Sequence, residues 1–268
     1  MRETIYFAHG NGFPSPCYQQ LLAVLETRFE CKYIDRIGHD ARFPVTENWD
    51  KLVDELLHAI KETCSEPIIG VGHSLGGVLN FLAALKEPSL FKAVIMIDSP
   101  LLGKFKSRML RLAKSLGIID RLTPGHRSRG RRHHWKTREE LTAYLKTRPL
   151  FSTFSDACLQ DYINFGFTNT DNGYHLYFNS YTEYMIYRTI PHNLVQFEGK
   201  VSVPIALVYG DKSNVVDRYD VNYMKKMYDI KCHRIKGTHM LPMENPEALA
   251  MEIFSAIDEL KIPSLRTK

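Results

Sequence analysis

Residues 72–77 have the sequence GHSLGG and follow the apolar run PIIGV at 67–71. A helical pattern, LGGVLNFLAALKE, begins at Leu75. A serine between a strand and a helix, with glycine two residues before and two after it, is typical of a strained turn that exposes the hydroxyl at the edge of a sheet. The spacing alone is weak, since it occurs by chance in about one in ten chains of this length. The strand before the serine and the helix after it make the motif much more specific.

Apolar runs that suit buried strands alternate with helical patterns on both sides of this turn. Because these runs lack polar alternation and are separated by helices, they predict an α/β fold with a mainly parallel central sheet and helices on both faces. The predicted strands are 4–9, 31–37, 67–72, 92–98, 203–210 and 230–237, and the predicted helices are 18–29, 48–64, 75–87, 219–228 and 246–260.

The middle of the chain departs from this alternation. It is rich in aromatic residues, basic at its start and helical only in patches such as REELTAYLKTR. We therefore predict a core formed by 1–100 and 199–268, and an inserted, mostly helical cap at 101–198.

Composition limits the class of protein. The chain has 268 residues, of which 44% are hydrophobic and 24% charged, and this is ordinary for one large globular domain with an insertion. No apolar run approaches the length of a membrane span, and the N-terminus lacks the features of a signal peptide. The five scattered cysteines indicate neither a disulfide framework nor a zinc site. We expect a cytoplasmic protein.

Charge is concentrated at the start of the predicted cap. Residues 104–138 hold twelve Lys or Arg and one Asp, a net charge of 12 − 1 = +11, whereas the rest of the chain carries 23 − 29 = −6. The basic amphipathic pattern at 101–117 fits a cap helix covering an apolar acyl pocket, which is the simpler interpretation, or contact with an anionic membrane surface. The run at 126–136 could also attract an anionic substrate. No nucleic-acid motif accompanies the charge. The apolar face of the helix predicted at 101–117 would contain Leu102, Phe105, Met109, Leu112, Ala113 and Leu116.

Two further loops are predicted at the same sheet edge as Ser74. The glycine-rich loop after the first strand can approach a ligand closely, and we predict that the amides of Asn11 and Leu75 bind an oxyanion there. His239 follows the last strand and fits the base that takes the Ser74 proton. Residues beside these loops are predicted to contact substrate: Gly10, Gly12, Phe13, His73 and Met240.

The segments HGNGFP (9–14), GHSLGG (72–77) and GTHMLPMENPE (237–247) together resemble the α/β-hydrolase superfamily. The similarity covers roughly 1–100 and 200–262, and the middle of the chain matches only as a variable cap. The resemblance implies an eight-stranded fold trimmed at its N-terminus. With serine at the turn, the chain resembles the esterase, lipase and thioesterase branches of the superfamily, whereas the dehalogenase and epoxide-hydrolase branches carry aspartate at that position.

The base requires a carboxylate on its other ring nitrogen. Most proteins of the family that this chain resembles supply it as Gly-x-x-Asp after the strand at 203–210, but that spacing here gives Ser213. A smaller set of similar esterases supplies it one strand earlier, where Asp98 ends the run AVIMID. That strand should neighbour the strand of the nucleophile, so its tip opens into the same crevice. We predict Asp98 as the acid. The alternatives are Asp211 and Asp217.

These residues predict a serine hydrolase that cleaves carboxylic esters with an apolar acyl part through an acyl-enzyme on Ser74. No metal or organic cofactor is predicted. The alternative activities are hydrolysis of acyl thioesters or of carbon–carbon bonds. Outside enzymes, the same scaffold could serve as a ligand-binding receptor.

Overall fold

The computed structural model describes residues 2–261. Met1 and residues 262–268, which belong to the predicted core ranges, lie outside the described residues. The strands are β1 Thr4–Ala8, β2 Glu30–Tyr33, β3 Ile68–His73, β4 Phe91–Ile97, β5 His134–Trp135, β6 Phe167–Thr170, β7 Gly173–Leu176, β8 Ile205–Gly210 and β9 Lys231–Ile235.

Helices precede or follow most of these strands. They are α1 Gln19–Leu25, α2 Asp50–Thr63, α3 Leu75–Lys86, α4 Lys104–Ser115, α5 Ile119–Leu122, α6 Gly125–Arg129, α7 Arg138–Lys146, α8 Asp156–Phe165, α9 Ser180–Arg188, α10 Arg218–Tyr228, α11 Leu241–Glu244 and α12 Pro246–Glu259. Short 3₁₀ helices lie at Ser15–Tyr18, Glu47–Trp49, Pro88–Leu90, Pro149–Phe151 and Leu194–Phe197.

The central sheet has the order β2-β1-β3-β4-β8-β9, and each neighbouring pair is parallel. Its four inner strands, β1, β3, β4 and β8, are mainly apolar because helices cover both faces, whereas the edge strands β2 and β9 carry charged residues. The predicted α/β fold class is therefore confirmed.

Successive residues of each strand point to opposite faces, so the sheet separates two hydrophobic layers. Helices α1 and α12 cover one layer, and α2, α3 and α10 cover the other. The first layer includes Phe7, Val71, Ile95 and Val208; the second includes Tyr6, Val94, Met96 and Leu207.

The strand order reverses direction between β1 and β3. After β1 the chain moves outward to β2, then crosses back to β3 and continues toward β9. A crevice opens at the carboxyl ends of strands where the order switches, and ligands bind there in open α/β sheets. The loop after β1 and the turn containing Ser74 border this crevice.

Between β4 and β8 the chain forms helices α4 to α9 and a small antiparallel sheet of order β5-β7-β6. The helices agree with the expectation for this segment. The small sheet was not predicted, because strands of two to four residues show too little periodicity to stand out. The exact limits of the cap, 101–198, stay a prediction.

The interpretation of α4 as a helix that buries its apolar face over the pocket is wrong. Four of the six residues predicted for this apolar face are exposed, and only Ala113 of the six is buried; α4 also buries Ser107 and Leu110, which the pattern did not assign to that face. The exposed four are Phe105 at 76%, Met109 at 49%, Leu112 at 57% and Leu116 at 62%.

Among residues 2–261 the structure contains no helix that is both long and apolar enough to span a bilayer.

Candidate active site

Ser74 occupies a strained turn between β3 and α3. Its backbone has φ 52° and ψ −111°, a conformation that non-glycine residues seldom adopt. The Ser74 amide donates to the Ile97 carbonyl at 2.9 Å, and this hydrogen bond ties the turn to the end of β4. The turn leaves the half-buried Ser74 at the wall of a large cavity.

The glycines around Ser74 are required by close backbone contacts. A Cβ on Gly72 would lie 2.3 Å from the Gly76 carbonyl carbon and oxygen, and a Cβ on Gly76 would lie 2.0 Å from the Ala8 carbonyl oxygen. No side chain fits at such distances, so α3 can approach β1 and β3 only with glycine at these positions.

We expect Gly76→Ala to lower the free energy of unfolding by about 3 kcal/mol or more, because the methyl group would overlap backbone atoms of β1. Urea denaturation measures this loss, and failure to obtain folded protein is its extreme form. Gly130→Ala is the matched control, since no atom lies within 4 Å of its added Cβ. A Gly76→Ala protein as stable as the Gly130→Ala protein would contradict the packing described for the turn.

Asp98 lies fully buried immediately after β4. One carboxylate oxygen, Oδ1, accepts from the Gly210 amide at 3.0 Å. The other, Oδ2, accepts from the Ser213 hydroxyl at 2.6 Å and lies 2.7 Å from His239 Nδ1. Because a carboxylate can only accept, His239 Nδ1 carries the proton and Nε2 is left to act as a base.

The structure brings Asp98, and neither alternative acid, to His239. Asp211 accepts from the Gly237 amide at 2.9 Å and so braces the loop before His239. Asp217 caps α10 and pairs with Lys106. Ser213, at the position where the resemblance implies an acid, instead donates to Asp98. The assignment of the catalytic acid remains a prediction.

The His239 loop is held by a second carboxylate that the sequence did not single out. Glu244 Oε2 accepts from the Thr238 amide at 2.8 Å, and Glu244 Oε1 accepts from the Thr238 hydroxyl. The Thr238 hydroxyl also accepts from the Met240 amide at 3.1 Å. Residues on both sides of His239 are therefore fixed, which limits the positions of its imidazole.

His73, predicted to contact substrate, is engaged by the protein at both ring nitrogens. Nε2 lies 2.9 Å from the His239 carbonyl oxygen, so it donates, and Nδ1 accepts from the Tyr18 hydroxyl at 2.8 Å. Burial, followed by the nearby His239, lowers the pKa of His73 well below its ordinary value, so the ring is neutral. Tyr18 Oη accepts from the Gly10 amide at 3.0 Å. Hydrogen bonds from Gly10 to Tyr18, from Tyr18 to His73 and from His73 to His239 thus connect the loop after β1 to the loop that carries the candidate base.

Two main-chain amides remain available near Ser74. In the described part of the chain neither the Leu75 amide nor the Asn11 amide has a hydrogen-bond acceptor. Leu75 is the first residue of α3, where the helix dipole favours negative charge. The Asn11 side chain donates to the Glu183 carbonyl of α9 at 3.0 Å, which holds this loop in place. Both amides are suited to bind an oxyanion.

The cavity beside Ser74 has a volume of about 1670 Å³ and is lined by both the core and the segment above it. Ser74, His239 and the candidate substrate residues Gly10, Phe13, His73 and Met240 line it. Gly12 does not; its α-carbon faces the Glu183 carboxylate instead. Apolar side chains make up much of the wall, among them Val78, Leu102, Leu145, Phe151, Phe167 and Leu176.

The upper wall of the cavity carries charged groups. Arg131 Nη2 lies 3.1 Å from Glu183 Oε2, and Ser128 donates to Glu183 Oε1 at 2.8 Å. Three more arginines line the cavity: Arg127, Arg132 and Arg148. The sequence shows the basic run but not that it lies over the cavity, because the contact between Arg131 and Glu183 joins residues 52 positions apart.

Comparison with known proteins agrees with this architecture. The sequence profile of the Alpha/beta hydrolase family matches residues 5–252. Ethanol acetyltransferase 1 of Hanseniaspora uvarum is 28% identical over 134 residues, which are 44% of this chain and 39% of that protein. The chain therefore spans about two fifths of the length of the curated relatives it matches.

Two solved structures share the fold over nearly the whole chain. E-2-(acetamidomethylene)succinate hydrolase is 22% identical, with a TM-score of 0.75 over 96% of this chain and 91% of that one. The thioesterase domain from the curacin biosynthetic pathway is 19% identical, with a TM-score of 0.73 over 95% of this chain and 91% of that one. At these identities the likeness demonstrates the fold and not the substrate.

Proposed function

We propose that this chain, which belongs to the alpha/beta hydrolase family, is a serine hydrolase that cleaves carboxylic esters through an acyl-enzyme on Ser74. One observation carries the proposal: His239, whose Nδ1 lies 2.7 Å from the buried Asp98 carboxylate, lines the same cavity as the strained Ser74. Acyl transfer from an ester uses a serine nucleophile, an imidazole that takes its proton and a carboxylate that orients the imidazole, and these three side chains support that assignment.

In the first half of the reaction, Ser74 Oγ attacks the ester carbonyl carbon while His239 Nε2 takes the hydroxyl proton. Asp98 stabilises the resulting imidazolium through Nδ1. The negative oxygen of the tetrahedral intermediate accepts from the Leu75 and Asn11 amides. The intermediate collapses when the alcohol oxygen leaves with the proton from His239, and the acyl group remains on Ser74.

In the second half, His239 deprotonates a water molecule that attacks the acyl carbonyl carbon. Collapse of this second intermediate returns the proton to Ser74 Oγ and releases a carboxylic acid. The apolar wall that includes Leu145, Phe151 and Phe167 favours an acyl part that is itself apolar.

Acyl thioesters are a second candidate substrate class. Among the described residues, four arginines and one lysine line the cavity, compared with a single carboxylate, that of Glu183. This excess of positive charge favours a leaving group with anionic phosphates, such as coenzyme A.

A substrate panel tests the proposal. We expect measurable turnover of p-nitrophenyl esters, with kcat/KM rising from acetate to longer acyl chains because the cavity wall is apolar. Acyl-coenzyme A substrates of the same chain lengths form the matched series. If turnover of the thioesters exceeds that of the esters, the second candidate is correct. If folded protein turns over neither series and does not react with a fluorophosphonate, the enzymatic proposal is wrong and a ligand-binding role is favoured.

A further inference from the structure

The surface of α4 and α5 carries an unusual concentration of exposed apolar side chains. Twelve large apolar residues are exposed across residues 2–261, and six of them fall between 105 and 122. We call these six the α4–α5 patch: Phe105, Met109, Leu112, Leu116, Ile118 and Leu122. Phe105, Met109, Leu112 and Leu116 follow one another at intervals of three or four residues, so they form a stripe along one side of the helix, and an exposed apolar stripe on a folded protein marks a contact site.

The outward orientation of the patch is fixed by contacts on the opposite side of α4. Lys106 Nζ lies 2.7 Å from a carboxylate oxygen of Asp217 and 2.7 Å from one of Asp220 on the core. Lys114 pairs with Glu47, also on the core. Leu110 is buried between these anchors. Since both ends of α4 are tied to the core, the helix cannot rotate to bury the patch without breaking the ion pairs.

The patch is bordered by positive charge that no carboxylate of residues 2–261 neutralises. Arg108 and Arg111 on α4, and Arg121 on α5, are exposed and form no ion pair within the described part of the chain. The lysines of α4, in contrast, are paired with carboxylates: Lys104 with Glu198, Lys106 with Asp217 and Asp220, and Lys114 with Glu47. The segment 104–138 as a whole carries 12 − 1 = +11. An apolar stripe beside free arginines is typical of helices that lie at the surface of anionic membranes.

A second copy of this chain is a poor occupant for the patch. Pairing two patches face to face would bring two segments of the same strong positive charge together, and repulsion between them opposes association. An anionic lipid surface meets both features at once, because its headgroups attract the arginines and its acyl region accepts the apolar stripe.

We propose that the α4–α5 patch docks the protein on anionic phospholipid bilayers. The helix axis lies in the plane of the membrane, with Phe105 and Leu112 inserted at the level of the headgroup–acyl boundary. Leu122 belongs to the patch and also lines the cavity of Ser74, so the docked face adjoins that cavity. The docking itself does not depend on the proposed hydrolase activity.

Sedimentation with vesicles tests the charge contribution. We expect the protein to bind vesicles of phosphatidylglycerol and phosphatidylcholine, and to bind pure phosphatidylcholine much more weakly. Arg108→Gln with Arg111→Gln should weaken binding to the anionic vesicles about 30-fold. Lys225→Gln with Lys226→Gln, which removes two exposed charges of α10, is the matched control and should leave binding within about threefold. Equal affinity of the two double variants would overturn the proposal.

Tryptophan fluorescence tests insertion separately. Phe105→Trp adds an exposed reporter to a protein whose own tryptophans, Trp49 and Trp135, are buried. Its emission should shift to shorter wavelength when anionic vesicles are added, whereas Met251→Trp, at a residue 62% exposed on α12, should not shift. No shift for Phe105→Trp would overturn the proposal, as would a dimer in solution that buries this reporter without vesicles. Neither assay requires activity, so their failure is distinguishable from failure of the proposed function.

Discussion

Ser74→Ala is expected to lower kcat/KM for p-nitrophenyl esters by at least about four orders of magnitude. The serine oxygen is the only protein atom in the proposed mechanism that bonds to the substrate carbon, and an alanine methyl group cannot replace it. Residual turnover would come from the Leu75 and Asn11 amides and from water that His239 activates. Initial rates at several substrate concentrations give kcat and KM separately.

Two controls isolate the chemical effect of this change. Ser152→Ala removes an exposed hydroxyl that donates to Pro149 and should leave kcat/KM within about twofold. Thermal unfolding of Ser74→Ala should match that of the unmodified protein, since the turn is held by glycine contacts and main-chain hydrogen bonds rather than by the hydroxyl. Activity of Ser74→Ala within tenfold of the unmodified protein would rule out Ser74 as the nucleophile.

Asp98→Asn is expected to lower kcat by about 10⁴-fold with little change in KM. The asparagine oxygen can still accept from the Gly210 amide, but its amino group then faces His239 Nδ1. Two donors cannot meet, so the imidazole adopts the tautomer with its proton on Nε2 and can no longer take the serine proton. Measuring kcat well below the unfolding temperature separates this effect from a loss of stability.

Substitutions at the neighbouring loop give the matched comparison. Asp211→Asn should cost no more than about tenfold, since Asp211 binds the Gly237 amide and not His239. Ser213→Ala should lower kcat by about tenfold, far less than Asp98→Asn, because it removes only one hydrogen bond to the Asp98 carboxylate. A large loss in Asp211→Asn together with a nearly unaffected Asp98→Asn would contradict the predicted acid.

The fold class could be predicted because the inner strands of the parallel sheet contain short apolar runs such as VIMI at 94–97, separated by helical patterns. The resemblance to α/β hydrolases is confirmed by the family match. Within the site, Ser74 and His239 stood out because each follows a strand in a local pattern. The structure places the Ser213 hydroxyl against Asp98, which gives a physical reason for a serine where an acid was expected.

Other features depend on contacts between distant residues. Tyr18 gives no local signal of its hydrogen bond to His73, which lies 55 residues away. The sequence pattern of α4 identifies an apolar stripe but not which side of the helix faces the core. The ion pairs of Lys106 and Lys114 with core carboxylates fix that side, and the partner of Lys114, Glu47, is 67 residues away. With α4 in this orientation, Arg108 and Arg111 beside the stripe are exposed to solvent.

Mapping the site of fluorophosphonate labelling by peptide mass spectrometry tests the central claim most directly. We predict a single modified peptide with the adduct on Ser74 Oγ, and loss of labelling both in Ser74→Ala and in His239→Ala, which retains the hydroxyl but lacks the base. Labelling at another residue, or undiminished labelling of the Ser74→Ala protein, would contradict the claim that Ser74 is an activated nucleophile.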